Sequence, residues 1–198
     1  YGANLSRAGA PGHGLVYFGE EMPHRRHMSW EGMRVGVSGA GNVAQFAIEK
    51  AMSLGAKVVA VSDSGGTAHD PEGFTGEKLA SLIEVRGYGE GRVADYARSH
   101  GLDFAAGRRP WHLPLDIALP CATQNELDRE DARTLVANKV ACIAEGANMP
   151  CTPEAVEIFR DAKVLFAPGK ASNAGGVATS GLEMTQNAQR LAWTRPEV

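Results

Sequence analysis

The chain has 198 residues, a formal net charge of −3 and 22% charged residues: enough length for one domain with a sizeable core, and no long-range electrostatic pull toward nucleic acid. No apolar run approaches the length of a membrane-spanning helix, and the opening Tyr1-Gly-Ala-Asn-Leu5 has neither the basic nor the apolar part of a signal peptide and reads as a chain entered midway. Cys121, Cys142 and Cys151 are odd in number and lack metal-ligand spacing, which fits a reducing cytosol and no metal site.

Residues 14–27 read as a lead-in helix that Pro23 breaks or restarts, and 30–33 as a connector. Arg34-Val-Gly-Val-Ser38 is a short apolar strand, and Gly39-Ala-Gly41-Asn42-Val43-Ala44 follows it as a Gly-x-Gly-x-x-Ala turn. Ala44, Ala47, Ile48, Ala51 and Met52 recur on one helical face, and Gly55 stands where a C-terminal cap glycine belongs. Residues 57–61 are then apolar and β-branched, like a strand buried on both faces, and an acid, Asp63, closes the unit.

Each part of this strand-turn-helix-strand unit suits a dinucleotide. Gly39 permits the tight turn, Gly41 lets backbone approach a pyrophosphate, and Ala44 lets the helix pack close to the strand. The helix N-terminus offers free N–H groups and a positive dipole to phosphate. Asp63 falls roughly two dozen positions after Gly39, near the spacing for an acid that bonds a ribose hydroxyl. The alternative is a strand-turn-helix whose glycines serve packing alone.

Beyond Asp63, residues 64–73 read as a glycine-rich loop. Thr75 caps a helix with Leu79, Leu82 and Ile83 on one face, and residues 91–100 form a second helix carrying Val93, Tyr96 and Ala97. A short strand near 102–105 follows, then a strand at 116–120 with 121–125 as its loop. Asp128 opens a helix with Ala132, Leu135 and Val136 inward; 140–144 is a buried strand ending in Glu145-Gly-Ala-Asn148. Thr152-Pro153-Glu154 is a strong helix start. Residues 164–166 form the last strand, 168–173 its loop, and 174–193 a final helix with Val177, Gly181, Met184, Ala188 and Leu191 as its apolar stripe.

The alternation of strands and helices predicts an α/β fold: a doubly wound, mostly parallel sheet with helices on both faces. In such a sheet, ligands bind outside the carboxyl ends of the strands. Five loops, 39–43, 62–65, 121–125, 145–148 and 169–173, are therefore expected to converge on one crevice, four of them rich in small polar residues and amides.

Four motifs carry a resemblance: Ser38-Gly-Ala-Gly-Asn-Val-Ala-Gln45, Leu119-Pro-Cys-Ala-Thr-Gln-Asn-Glu-Leu127, Ala144-Glu-Gly-Ala-Asn-Met-Pro150, and the run from Phe166 through Pro168-Gly-Lys-Ala-Ser-Asn173 to Met184. They resemble the glutamate/leucine/phenylalanine/valine dehydrogenase family, most closely the bacterial NADP-dependent glutamate dehydrogenases, over about residues 7–193. The resemblance implies a Rossmann-like domain with one strand reversed, covering 1–198 with a helical lead-in at 1–30 and a core and final helix at 34–193. It also implies a reversible reaction: L-glutamate, NADP and water to 2-oxoglutarate, ammonia and NADPH, in a cytoplasmic homo-hexamer. The catalytic lysine and aspartate of that family belong to a separate N-terminal domain and have no counterpart here, so the chain reads as a fragment that binds cofactor and catalyses nothing.

By the same resemblance the cofactor would touch Ser38, Gly39, Gly41, Asn42 and Val43 at the turn, Ala122, Thr123 and Gln124 beside the ribose and nicotinamide, Asn148 near the nicotinamide, and Asn173 on the cleft floor. For Asn42 and the other polar loop residues the alternative is a hydrogen bond that stabilises their own loop. Ser180 would bond the glutamate side-chain carboxylate, with Val177 beside it; the alternative is a small-residue packing surface. The family pattern Arg-x-Glu-Ala-Thr-Gly-x-Gly stands here as Arg7-Ala-Gly9-Ala10-Pro11-Gly12-His13-Gly14, with Pro11 in place of a threonine that contacts the nicotinamide carboxamide.

The cofactor form is argued both ways. Asp63 favours NAD by bonding the ribose diol and would repel a 2′-phosphate. Ser62 could donate to that phosphate, and Arg86 or Arg92, which match basic positions of the NADP-type enzymes, could offset Asp63; the alternative for both arginines is ordinary surface charge. The resemblance favours NADP, with NAD possible. Two rival functions stand beside this one: a dehydrogenase of leucine, valine or phenylalanine, and a nucleotide-sensing module without chemistry.

Overall fold

The computed structural model describes residues 8–24, 29–87, 91–190 and 193. Helix α1 (Ala10–His24) leads into strand β1 (Arg34–Ser38), helix α2 (Asn42–Ser53) and strand β2 (Lys57–Asp63). Strand β3 (Gly66–His69), helices α3 (Gly76–Gly87) and α4 (Val93–Ser99), and strand β4 (Asp103–Ala106) complete one half. The other half holds β5 (Ile117–Pro120), α5 (Arg129–Ala137), β6 (Cys142–Ala144), α6 (Pro153–Asp161), β7 (Leu165–Ala167), a single turn α7 (Gly169–Ser172), and α8 (Ala174–Gln189).

The seven strands form one sheet in the order β4-β3-β2-β1-β5-β6-β7. β1 runs parallel to β2 and β5, and β5, β6 and β7 run parallel in turn. β3 is antiparallel to both β2 and β4, so it is the single reversed strand. Side chains alternate between two cores, as period-two strands require. Val35, Val37, Ile117 and Leu119 face the layer of α1 to α4, whereas Val59, Ala118 and Ile143 face α5 and α6. Helices thus cover both faces, and the fold is Rossmann-like α/β.

Local chemistry accounts for the boundaries. Gly55 takes φ +79° just after α2, where only glycine turns without strain. The Asp128 carboxylate accepts the Glu130 and Asp131 N–H groups at the start of α5, and the Thr152 hydroxyl accepts the Ala155 N–H at the start of α6. At the amino ends of the central strands, the Arg34 guanidinium makes a two-point contact with Asp116 at 2.9 and 3.0 Å, joining the starts of β1 and β5 and holding the Asp116 carboxyl below its ordinary range.

Five sequence expectations need correction. The segment 64–73 is not all loop, because it contains β3, whose short run of Gly-Thr-Ala-His has no apolar alternation to announce it. The segment 168–173 closes into a helical turn, α7, behind Pro168. α1 starts at Ala10, before residue 14, with Pro11 accommodated in its first turn; Pro23 falls near its described end, and residue 27 lies outside the described residues. Ile83 is exposed although Leu79 and Leu82 are buried. Along α8, which ends at Gln189 with Arg190 in the left-handed region, the predicted stripe is not a core: Val177 is 74% and Met184 68% exposed, while Thr179 and Gln186 are buried. Leu191 of that stripe lies outside the described residues.

Candidate dinucleotide site

Because β1, β2, β5, β6 and β7 run in one direction, the loops that follow them share one edge of the sheet. Hydrogen bonds knit them together: Gly146 and Ala147 donate to the Pro120 carbonyl, and Gly169 donates to the Glu145 carboxylate at 2.7 Å.

The glycine turn lies at the centre. Gly39 has φ +83°, and a Cβ on it would stand 3.0 Å from the Cys121 carbonyl oxygen and 3.1 Å from Ala122 Cα, so this glycine is required by both conformation and contact. Gly41 is different: its backbone is extended, and a Cβ there would meet nothing within 4 Å. Gly41 is the N-cap of α2, no side chain caps that helix, and no acid lies in its first turn. Among the described residues, no side chain caps the first N–H groups of α2 or offsets their positive dipole, which makes this helix end a ready anion site. Asn42 is exposed there and Val43 half-buried behind it.

At the end of β2, four of the sequence-predicted residues come together. The Ser62 hydroxyl is buried and has no hydrogen-bond partner among the described residues. One Asp63 oxygen accepts the Gly65 N–H at 2.8 Å, and the other accepts the Val93 N–H at the start of α4 at 3.0 Å. Arg86 stands 3.9 Å from Asp63 and donates to the Gly91 carbonyl, and its buried Nε has no partner among the described residues. Arg92 reaches the Ser64 hydroxyl at 3.3 Å. Two guanidinium groups thus flank an acid whose oxygens already accept backbone N–H groups.

On the other side, Asn148, Asn173 and Val177 line one cavity of about 500 Å³ with Glu145 and Lys170. Gln124 belongs instead to a neighbouring cavity of about 610 Å³ bounded by α6 and β7. Thr123 is exposed in the loop after β5, and Ala122 packs under Gly39. Ser180 is half-buried and donates to the Gly176 carbonyl of its own helix at 3.0 Å. Ser38 is fully buried behind the turn, so its hydroxyl faces protein. The Pro11 ring packs on the first turn of α8, where a Cβ on Gly176 would lie 3.0 Å from Pro11 Cγ. Arg7 of the same motif lies outside the described residues.

Sequence reasoning missed two buried acids. The Glu126 side chain is fully buried, accepts the Ser38 hydroxyl at 2.7 Å and the Ala122 N–H at 2.9 Å, and pairs with Arg109 at 2.9 Å. Burial pushes its carboxyl above the ordinary range, against the opposing effect of those donors. Glu145 is buried between the loops after β6 and β7 and accepts the Cys151 and Gly169 N–H groups. Both sit in runs of polar loop residues, and no local pattern separates them from solvated acids. The three cysteines are free, and burial raises every thiol, that of Cys142 to about 12. Among the described residues no cluster of His, Cys, Asp or Glu could hold a metal ion.

Known proteins bear the same architecture. The chain is 63% identical to the NADP-specific glutamate dehydrogenase of Escherichia coli strain K12 and 54% identical to the NAD(P)-specific glutamate dehydrogenase of Xylanibacter ruminicola, over all of its own length and 44% and 45% of theirs. The crystal structure of Plasmodium falciparum glutamate dehydrogenase superposes with a TM-score of 0.94 at 40% identity, covering 100% of this chain and 42% of that one. The chain therefore spans less than half the length of the relatives it matches. The family model for glutamate/leucine/phenylalanine/valine dehydrogenases matches residues 2–198, and the chain belongs to that family.

Proposed function

We propose that this chain, over 1–198, is a single dinucleotide-binding domain, the cofactor-binding part of a glutamate dehydrogenase, with α1 as its lead-in helix and α8 as its final one. It holds NADP for the reversible oxidative deamination of L-glutamate to 2-oxoglutarate and ammonia. The observation that carries this reading is the uncapped N-terminus of α2 at Gly41, open to an anion and set where the loops of five parallel strands meet. The 63% identity to an NADP-specific relative supports the substrate.

The bound cofactor supplies the hydride chemistry. The chain's residues bind and orient it. The first amides of α2 take the pyrophosphate, with Gly41 leaving room for it and Asn42 beside it. Ser62, Arg86 and Arg92 take the adenosine ribose and its 2′-phosphate. Asp63 stays compatible with that role, because Arg86 stands 3.9 Å from it and each of its oxygens already accepts one backbone N–H, from Gly65 and Val93. NAD remains a weaker second ligand, since a ribose hydroxyl can still meet the unpartnered Ser62 hydroxyl. Ala122, Thr123 and Gln124 border the nicotinamide ribose, and Asn148 and Asn173 the nicotinamide. Val177 and Ser180, three positions apart on α8, face the glutamate.

The lysine and aspartate that carry the chemistry are expected outside these residues, so this chain alone binds cofactor and turns over nothing. By the same reading the complete protein works in the cytoplasm as a homo-hexamer. Calorimetric titration of the chain with NADP and with NAD tests the reading. NADP is expected to bind at least about tenfold more tightly, and Arg86→Ala or Arg92→Ala to erase most of that gap. Binding of neither dinucleotide at millimolar concentration contradicts the reading.

A further inference from the structure

Two of the five loops are tied to each other by one buried carboxylate. The Ser38 hydroxyl, immediately before the glycine turn, donates to Glu126 at 2.7 Å. The same Glu126 oxygen accepts the Ala122 N–H at 2.9 Å and the Thr123 N–H at 3.4 Å. Arg109 donates to the other oxygen at 2.9 Å. The Ser38 oxygen in turn accepts the Cys121 N–H at 2.9 Å. Between these contacts Gly39 lies against Cys121 and Ala122 with no space for a side chain. The end of β1 and the start of the loop after β5 therefore move as one body, and Glu126 is the group they share.

We propose that Glu126 is a positioning residue for the dinucleotide: it holds the glycine turn and the Ala122–Thr123 backbone at the separation that lets one cofactor touch both. The inference rests on the cofactor reading above. Glu126 has no exposed side-chain surface, so it acts through the loops and never touches the ligand. The clamp bears directly on the β1 and β5 loops; Ser62 is paired with Ser38 and Gly39, whereas the two arginines at the end of β2 take their contacts elsewhere, Arg86 from the Gly91 carbonyl and Arg92 from the Ser64 hydroxyl. A buried carboxylate is costly unless every oxygen is met by a donor, and here both are. Retaining one in the wall of a ligand cleft, where an apolar residue packs without that cost, is what a positioning role explains.

The test separates the two ends of the cofactor. The chain and its Glu126→Gln variant are titrated with NADP and with adenosine 2′-monophosphate, which carries the 2′-phosphate end and no 5′-phosphate to engage the glycine turn. Glutamine keeps the shape but places an amide where the carboxylate met only donors. The expected result is a loss of about tenfold or more in NADP affinity, with adenosine 2′-monophosphate affinity unchanged within about twofold. A merely structural role lowers both affinities together, and that result, or no change in either, overturns the proposal. Should Glu126→Gln not fold, Ser38→Ala removes the hydroxyl arm alone, and the same selective loss, about threefold or more on NADP only, decides the matter. A wild-type chain that binds neither ligand overturns the cofactor reading itself, and the positioning role with it; wild-type binding without the selective loss overturns the positioning role alone.

Discussion

Gly39 and Gly41 stand two positions apart in one turn and answer to different demands. At Gly39 the backbone is left-handed and neighbouring backbone fills the place of a side chain, so the glycine serves the fold. At Gly41 the backbone is extended and the place of a side chain is empty, so nothing in the folded chain requires glycine there. Gly39→Ala is therefore expected to destabilise the chain by about 1–3 kcal/mol, read by denaturant unfolding. Gly41→Ala is expected to leave stability within about 0.5 kcal/mol while weakening NADP by about tenfold, because its methyl enters the space above the α2 amides. The glycine turn was legible in the sequence because each of its residues answers a local backbone need. Glu126 was not, because burial of an acid among Thr123, Gln124 and Asn125 is decided by Ser38 and Arg109, residues distant in the chain.

Among the elements, β3 shows why a strand can escape a reading by pattern. Three of its four residues, Gly66, Thr67 and Ala68, are small, it lies reversed between β2 and β4, and its pairing comes from tertiary contact more than from propensity. Gly66 opens it at φ +148°, where a Cβ would fall 2.4 Å from the Ala105 carbonyl oxygen of the neighbouring strand. Gly66→Ala is expected to cost about 2–4 kcal/mol, seen as a lowered unfolding midpoint with the dinucleotide loops of the remaining folded population unaffected. The helix α8 shows the opposite case. Its apolar period is real, but periodicity states only that a stripe exists and not what covers it; Val177 and Met184 are exposed. Parallel strands and helices were legible where β-branched runs or N-caps mark them, as in Lys57–Asp63 and at Asp128 and Thr152.

At the scale of the whole molecule, the arrangement brings backbone amides at one helix end, two arginines and several side-chain amides to a single edge of a sheet. Its order follows from direction: one reversed strand aside, every strand delivers its loop to the same side. Buried acids then fix those loops in pairs, Glu126 joining the loops after β1 and β5 and Glu145 those after β6 and β7. The chain spans 44% of its Escherichia coli relative, and the part proposed for it above is to hold and aim a cofactor. No helix among the described residues is long and apolar enough to cross a membrane.

The central claim is that a dinucleotide lies across the α2 N-terminus from the end of β2 to the loop after β5. Backbone amide shifts of the labelled chain, followed residue by residue during titration with NADP, test it most directly. The account predicts the largest changes at Gly41, Asn42 and Val43, with smaller ones at Ser62 to Gly65 and at Ala122 to Gln124. Changes confined to α5 and α6, or none at saturating NADP, would contradict it.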